Sequence, residues 1–127
     1  MGTRSLTFVY DGKEPMINMY RQFDGYPSGH GSELAEFLNS FDAIVNGIPV
    51  GDKRKMANGM GCLAAQMIAN FKTEVGGFYI YPVSADDCGQ DYEYHVYENK
   101  VVVKNPTEVI FSGDWNKFRE YCVEGDE

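Results

Sequence analysis

Four strand-like segments follow one another closely in the second half of the chain. β-Branched and aromatic residues dominate these segments, which are Phe78–Val83, Tyr92–Tyr97, Val101–Lys104 and Val109–Phe111. Turn-forming residues separate them, as in Asp86–Gly89 and Glu98–Lys100. Parallel neighbours need a crossover connection, usually a helix, and these intervals leave little room for one. We therefore expect antiparallel pairing among these strands.

The first half of the chain predicts one more hairpin and a helix. Ser5–Tyr10 alternates with period two, and Met16–Phe23 can return beside it after a short turn. Apolar residues then follow helical spacing in Ser32–Phe41, where Ser32 is suited to cap the first turn. The interval Asp24–Ser32 contains three glycines and a proline, too many for a regular element, so we expect a loop there.

Two further helices complete the predicted fold. Between Met60 and Phe71 apolar residues recur at i, i+3, i+4, i+7, i+8 and i+11, which is typical of an amphipathic helix. A short C-terminal helix opens at Gly113–Asp114 and is expected to turn Trp115, Phe118 and Cys122 inward. The length of 127 residues suits one domain. We expect a single α+β domain over residues 1–127, with an antiparallel β-sheet packed against two main helices and the short C-terminal helix.

The chain is acidic, with 19 Asp and Glu against 11 Lys and Arg and a formal net charge of -8 at pH 7. This argues against a duplex nucleic acid as partner, since such proteins present basic stripes to the phosphates. The longest uncharged stretch, Met56–Phe71, contains polar residues and falls short of a membrane span. No apolar signal segment opens the chain, and its three cysteines lack C-x-x-C spacing, so we expect a protein of a reducing cytoplasm.

The candidates for catalysis and metal binding are few. The two histidines, His30 and His95, and the three cysteines form no recognisable catalytic or metal-ligating motif, and we expect no cofactor. On its strand His95 is more typical of a hydrogen-bonded sheet residue than of a catalyst. Cys62 and Cys122 lie on apolar helical faces, where small buried hydrophobes are the usual reading, whereas Cys88 lies in a polar turn.

Small anions have better candidate sites. Gly29, His30 and Gly31 lead into the helix at Ser32, where free backbone N–H groups and the helix dipole can hold a phosphate. The alternative is a glycine-rich turn with a serine cap, which is about as common. The basic run Lys53–Lys55 and Arg21 offer further positive charge, although a short run of charge is more often a solvated surface.

Aromatic residues are concentrated on the strands that flank Ser84–Asp91. They are Phe78, Tyr79, Tyr81, Tyr92, Tyr94 and Tyr97. One strand face must pack in the core, and the other can present rings on which a purine base stacks. Burial of this aromatic stripe in an oligomer interface is equally compatible with the pattern.

Longer strings in the sequence resemble a known family. These strings are Met19–Gln22, Asp24–Gly31, Glu33–Leu38 and Ala57–Gln66. Together they resemble the first family of Thoeris anti-defence proteins, over about Leu6 to Tyr97. Members of this family are phage-encoded sponges that sequester signalling nucleotides.

The resemblance implies a function without catalysis. Such a protein would sequester cyclic ADP-ribose isomers made by a TIR-domain immune enzyme, and cyclic trinucleotides at a separate site, in the cytoplasm of the infected bacterium. It would assemble as dimers that combine into hexamers, with the first kind of pocket at the dimer interface and the second where three protomers meet.

The resemblance also implies particular site residues. For the trinucleotide these are Arg21 and Arg54, repeated around a three-fold axis. For the ADP-ribose isomer they are Phe78 or Tyr81 stacked on adenine and a loop at Ser84–Asp91 closing over the ligand. The ribose hydroxyls would be bound by Asp91 and Asn99, and the pyrophosphate by Gly29, His30 and Gly31. Two other functions remain open, a phosphodiesterase-type enzyme with a histidine base and a phage accessory factor that binds another protein.

Overall fold

A computed structural model describes residues 2–48 and 50–124 of the chain. The strands are β1 (Ser5–Asp11), β2 (Glu14–Arg21), β3 (Ala43–Val45), β4 (Met56–Asn58), β5 (Phe78–Tyr81), β6 (Tyr92–Val96), β7 (Val101–Lys104) and β8 (Val109–Gly113). The helices are α1 (Ser32–Asn39), α2 (Gly59–Phe71) and α3 (Trp115–Glu124), and a π-helical turn, Pro27–Gly31, leads into α1. No helix in the described ranges is both long and apolar enough to cross a membrane.

Six strands form one mixed sheet in the order β5-β2-β1-β6-β7-β8. Neighbours pair antiparallel except β1 and β6, which run parallel with Ser5 opposite Tyr92. The α+β class is confirmed, whereas the expectation of a purely antiparallel sheet is wrong at this central pair. β5 pairs with β2 at the sheet edge, and residues 82–91 cross from there to β6. An extended segment of this length easily spans three strand spacings, roughly 15 Å, so no crossover helix is needed.

The helices cover one face of this sheet and share a core with it. Buried side chains from both layers pack together there, among them Val9, Met19, Leu34, Leu38, Leu63, Met67, Tyr94, Val96, Val101, Val103 and Phe118. The predicted inward residues of α3 are confirmed for Phe118 and Cys122, which are fully buried. Trp115 is half-buried, and its indole N–H donates to the carbonyl oxygen of Tyr97 at 3.0 Å.

The opposite face of the sheet holds a second, smaller cluster. Leu6, Phe8 and Tyr20 are buried there, and Cys88 of the crossing segment 82–91 packs against them. Asn18 ties this segment down, because its side-chain amide donates to the carbonyl oxygens of Pro82 at 3.0 Å and Ala85 at 3.1 Å. The segment that the resemblance assigns to a ligand-closing loop therefore covers part of the sheet.

The predicted loop at Asp24–Ser32 is partly wrong, because Pro27–Gly31 form the π-helical turn that continues into α1. Close approach explains the glycines there. A Cβ at Gly29 would lie 2.5 Å from the Asp24 carbonyl oxygen, and one at Gly31 would lie 2.9 Å from the sulfur of Cys122. Because glycine has no Cβ, the turn can approach these atoms closely and still form its regular hydrogen bonds.

The region between α1 and α2 contains a second, two-stranded sheet that the sequence pattern did not predict. β3 and β4 pair in parallel, with Ala43 opposite Met56 and Val45 opposite Asn58. The predicted loop Asn46–Gly51 lies between them, and its Pro49 falls outside the described residues. The predicted second helix is confirmed as α2.

Two glycine substitutions should have opposite effects on stability. Gly31→Ala places a methyl group against Cys122 and Tyr94, which are both buried, and should lower the free energy of unfolding by about 1–3 kcal/mol. Gly61→Ala, on the exposed side of α2, meets the flexible end of Met16 and should raise it by up to about 1 kcal/mol. Urea unfolding measures both, and equal effects would contradict the packing of the π-helical turn described above.

Candidate anion-binding site around Arg21

The backbone amides before α1 are already used within the chain. The Gly29 and Gly31 N–H groups donate to the Tyr26 carbonyl at 2.9 and 3.4 Å, and the His30 N–H donates to that of Asp24 at 2.7 Å. The expectation that these three residues present free amides to a phosphate is therefore wrong. The hydrogen bonds of the π-helical turn point the N–H groups back into the turn.

The side chain of His30, by contrast, is fully buried, and both of its ring nitrogens are hydrogen-bonded. Its Nδ1 lies 3.2 Å from Nη1 of Arg21, and its Nε2 lies 2.7 Å from Oγ1 of Thr7. Because a guanidinium can only donate, Nδ1 accepts, and the neutral ring carries its proton on Nε2 and donates it to Thr7. Burial, and secondly the Arg21 charge, lower the pKa of His30 from 6.5 to about 3.

Arg21 is the last residue of β2 and lies directly opposite Phe78 of β5. This register places its guanidinium carbon 4.9 Å from the centre of the Phe78 ring, in cation–π geometry. Nη1 also donates to Oε1 of Glu33 at 2.7 Å. Arg21 and Phe78, which the resemblance assigns to two different ligand sites, thus lie in one cluster with His30 and Glu33, called here the Arg21 cluster.

Arg54 lies apart from this cluster. It is exposed, and it forms a bidentate ion pair with Asp52 through Nε at 3.1 Å and Nη2 at 2.7 Å. The hydrogen bonds from Arg54 lower the pKa of Asp52 to about 2. The described contacts therefore do not bring the two predicted trinucleotide arginines together within one copy of the chain.

A hollow of about 400 Å³ lies between α1 and α2, next to the Arg21 cluster. It is lined by Ser32, Glu33, Glu36, Phe37, Ser40, Lys55 and Asn70. Lys55 donates to the Ser40 hydroxyl at 2.7 Å and lies 4.9 Å from the centre of the Phe41 ring. The two glutamates oppose this cation, so the hollow does not attract an anion by its own charges.

The predicted aromatic platform is divided between the two faces of the sheet. Phe78 lies on the helix side, whereas Tyr81 lies on the other face and stacks on Tyr20 with ring centres 4.8 Å apart. Tyr94 is fully buried in the main core, where its hydroxyl donates to the Gly25 carbonyl at 2.7 Å. Tyr97 stacks on Tyr10 at 4.4 Å. The rings are thus divided, as expected, between a core face and an opposite face, and on the opposite face Tyr10 and Tyr81 pack against the same smaller cluster.

The predicted ribose-binding residues lie at opposite ends of β6. The carboxylate of Asp91 accepts from the Arg4 N–H at 3.1 Å, which ties the crossing segment to the start of β1. Asn99 is exposed in the turn between β6 and β7. Because the five residues of β6 span roughly 17 Å, one ligand does not reach both residues of the same copy and Phe78 as well.

His95 is a hydrogen-bonded sheet residue, as predicted. Its Nδ1 lies 2.6 Å from the Tyr10 hydroxyl, its Nε2 lies 2.9 Å from Oε1 of Glu93, and its ring stacks on Phe8. Burial raises the pKa of Tyr10 to about 12, so its phenol keeps its proton at neutral pH. No group of three or more His, Cys, Asp or Glu suited to a metal occurs in the described ranges.

Glu33 was missed by the sequence-based prediction of the site. It lies twelve positions after Arg21, and the contact arises only because the π-helical turn folds α1 back beside the end of β2. The available signal was weak: an acidic residue in the first turn of a helix is common, because it is stabilised by the helix dipole.

Comparison with known proteins identified no relative of this chain. No family model, no curated protein and no solved structure matches the chain. The resemblance to the Thoeris anti-defence family therefore remains a hypothesis that rests on the sequence strings given above.

His30 predicts how stability depends on pH. The folded state holds the ring neutral down to about pH 3, whereas the unfolded chain protonates it near 6.5. Folding stability should therefore fall as the pH drops through 6.5, by about 1 kcal/mol between pH 7.0 and 5.5. Urea unfolding at both pH values checks this. His30→Gln should remove most of the dependence, and if His95→Gln removes it instead, the assignment to His30 is wrong.

Proposed function

We propose that this chain is a sponge for small cyclic nucleotide signals, which it binds and retains without cleaving them. The observation that carries the proposal is the Arg21 cluster, in which an almost buried cation is fixed in place at the protein surface. The family resemblance supplies the ligand class: cyclic ADP-ribose isomers and, at a separate site, cyclic oligonucleotides such as cyclic tri-adenylate. The proposed place of action is the cytoplasm of an infected bacterium.

The geometry of Arg21 suits a phosphate. The contacts described for it use Nη1 alone, for His30 and Glu33. Nη2, which has no described contact, can then join Nη1 or Nε in the paired hydrogen bonds that guanidinium groups make to phosphate oxygens. Phe78 below the guanidinium and His30 beside it hold the side chain in one conformation, so little conformational entropy is lost when a ligand binds.

The contacts of the histidines favour retention over hydrolysis. His30 is buried, with both ring nitrogens engaged and its pKa near 3, and is therefore a poor general base at neutral pH. His95 likewise has both ring nitrogens engaged, by Tyr10 and Glu93. A phosphodiesterase with a histidine base would have to rearrange one of these networks.

The dispersion of the site residues favours an assembly. Within one copy, Asn99 follows the end of β6 that is far from Arg21, and Arg54 has no described contact with the Arg21 cluster, so a ligand that contacts all three is best held between copies. Next to Phe78 on the edge strand β5, Tyr79 and Ile80 are about half exposed. Exposed apolar residues on an edge strand are typical of an interface. We therefore propose a homodimer that assembles into a hexamer, with ligands bound between copies.

Ligand retention is the first test of the proposal. The chain should bind cyclic tri-adenylate and cyclic ADP-ribose isomers in native mass spectrometry, which reports oligomer size and ligand count together. Heat denaturation after long incubation should release each ligand intact. Progressive loss of ligand would instead identify an enzyme, and the absence of any complex or thermal shift would favour the protein-binding factor.

Arg54 gives a site-specific test. Arg54→Ala should weaken cyclic tri-adenylate binding about tenfold or more, because each copy around a three-fold site would lose a charge-assisted contact. Binding of cyclic ADP-ribose isomers should be unchanged. Lys53→Ala removes the same charge from the neighbouring residue and is the matched control. Equal losses in isothermal titration calorimetry of both variants, or a loss of both ligands, would contradict the two-site arrangement.

A further inference from the structure

The two partners of the Arg21–Glu33 ion pair differ in burial and in the number of their contacts. The Arg21 side chain is only 12% exposed, whereas that of Glu33 is 55% exposed. Arg21 is also held by Phe78 and by His30, while the contact of Glu33 to Arg21 is a single one, through Oε1 at 2.7 Å. The cation is therefore fixed in the protein, and the carboxylate is attached to it from the solvent side.

Breaking this ion pair costs more free energy if Arg21 moves away than if Glu33 does. If Arg21 left, Nδ1 of the fully buried His30 would lose its donor, and a buried acceptor without a partner is costly. If Glu33 left, its carboxylate would simply become hydrated, because it is already half in water. When an anion arrives from solution, Glu33 is the partner that can move at low cost.

We propose that Glu33 is a placeholder for the ligand: a phosphate oxyanion displaces its carboxylate from Arg21. In the unliganded chain Glu33 neutralises the guanidinium and keeps it oriented. An anion must then compete with a tethered carboxylate. A phosphate that takes Nη1 from Glu33 and bonds Nη2 at the same time competes well, whereas an anion that makes one contact does not. Glu33 thereby determines specificity for phosphate ligands.

This inference rests on the proposed function for the identity of the natural ligand, but the displacement itself is testable with inorganic pyrophosphate. Glu33→Gln removes the competing charge and keeps the side-chain size. It should strengthen binding of pyrophosphate and of cyclic tri-adenylate about two- to fivefold in isothermal titration calorimetry. A gain of affinity is the informative readout, because damage to the fold would produce a loss.

Glu36→Gln is the matched control, since Glu36 is exposed on the same helix, lines the same hollow and has no described contact with Arg21. It removes the same charge and should change affinity less than twofold. In an Arg21→Gln background the effect of Glu33→Gln should disappear, because the two residues act through one contact.

The outcomes separate the two proposals. If cyclic tri-adenylate binds but Glu33→Gln strengthens binding no more than Glu36→Gln does, the placeholder role is overturned and the sponge proposal stands. If pyrophosphate shows the predicted gain and neither cyclic nucleotide binds, the placeholder role stands and the sponge proposal falls. If pyrophosphate does not bind even to Glu33→Gln, Arg21 is no phosphate site and the placeholder role is overturned.

Discussion

The buried hydrogen bonds of His30 connect the parts of this molecule on which the candidate site depends. One ring nitrogen contacts Thr7 of β1 and the other contacts Arg21 of β2, while the backbone of His30 belongs to the π-helical turn that leads into α1. A buried polar group is stable only when it is hydrogen-bonded, so the turn, the two strands and the arginine must keep their relative positions. The orientation of Arg21 follows from this requirement.

The periodic patterns of the sequence predicted the hairpin of β1 and β2, the helix α2 and the strand segments of the second half, because each pattern reflects a local alternation or a local helical face. The pairing of those strands could not be predicted in the same way. Residues 82–91 look like a hairpin loop in the sequence, but they cross the sheet, where Asn18 binds Pro82 and Cys88 packs against the smaller cluster. These contacts are long-range, and no spacing in the sequence encodes them.

The residues of the candidate site show the same limit of prediction from local sequence patterns. The family resemblance selected Arg21, and the β2–β5 register shows why it matters, since Phe78 lies directly opposite. Gly29 and Gly31 were selected for free amides, yet close packing accounts for both positions, and the amides donate within the turn. Residue type and local pattern identified which residues are unusual, while the tertiary contacts determined what each of them does.

The parallel pairing of β1 with β6 also has a consequence for how the chain reaches its native state. β1 leaves the ribosome well before β6, its second neighbour in the sheet, which follows more than eighty residues later. Until then the outer edge of β1 has no native partner, and α1 and α2 have only half of the sheet to pack on. Such distant pairing slows folding and favours closure of the core late in synthesis. During that interval the exposed edge is the part of the nascent chain most in need of protection from aggregation.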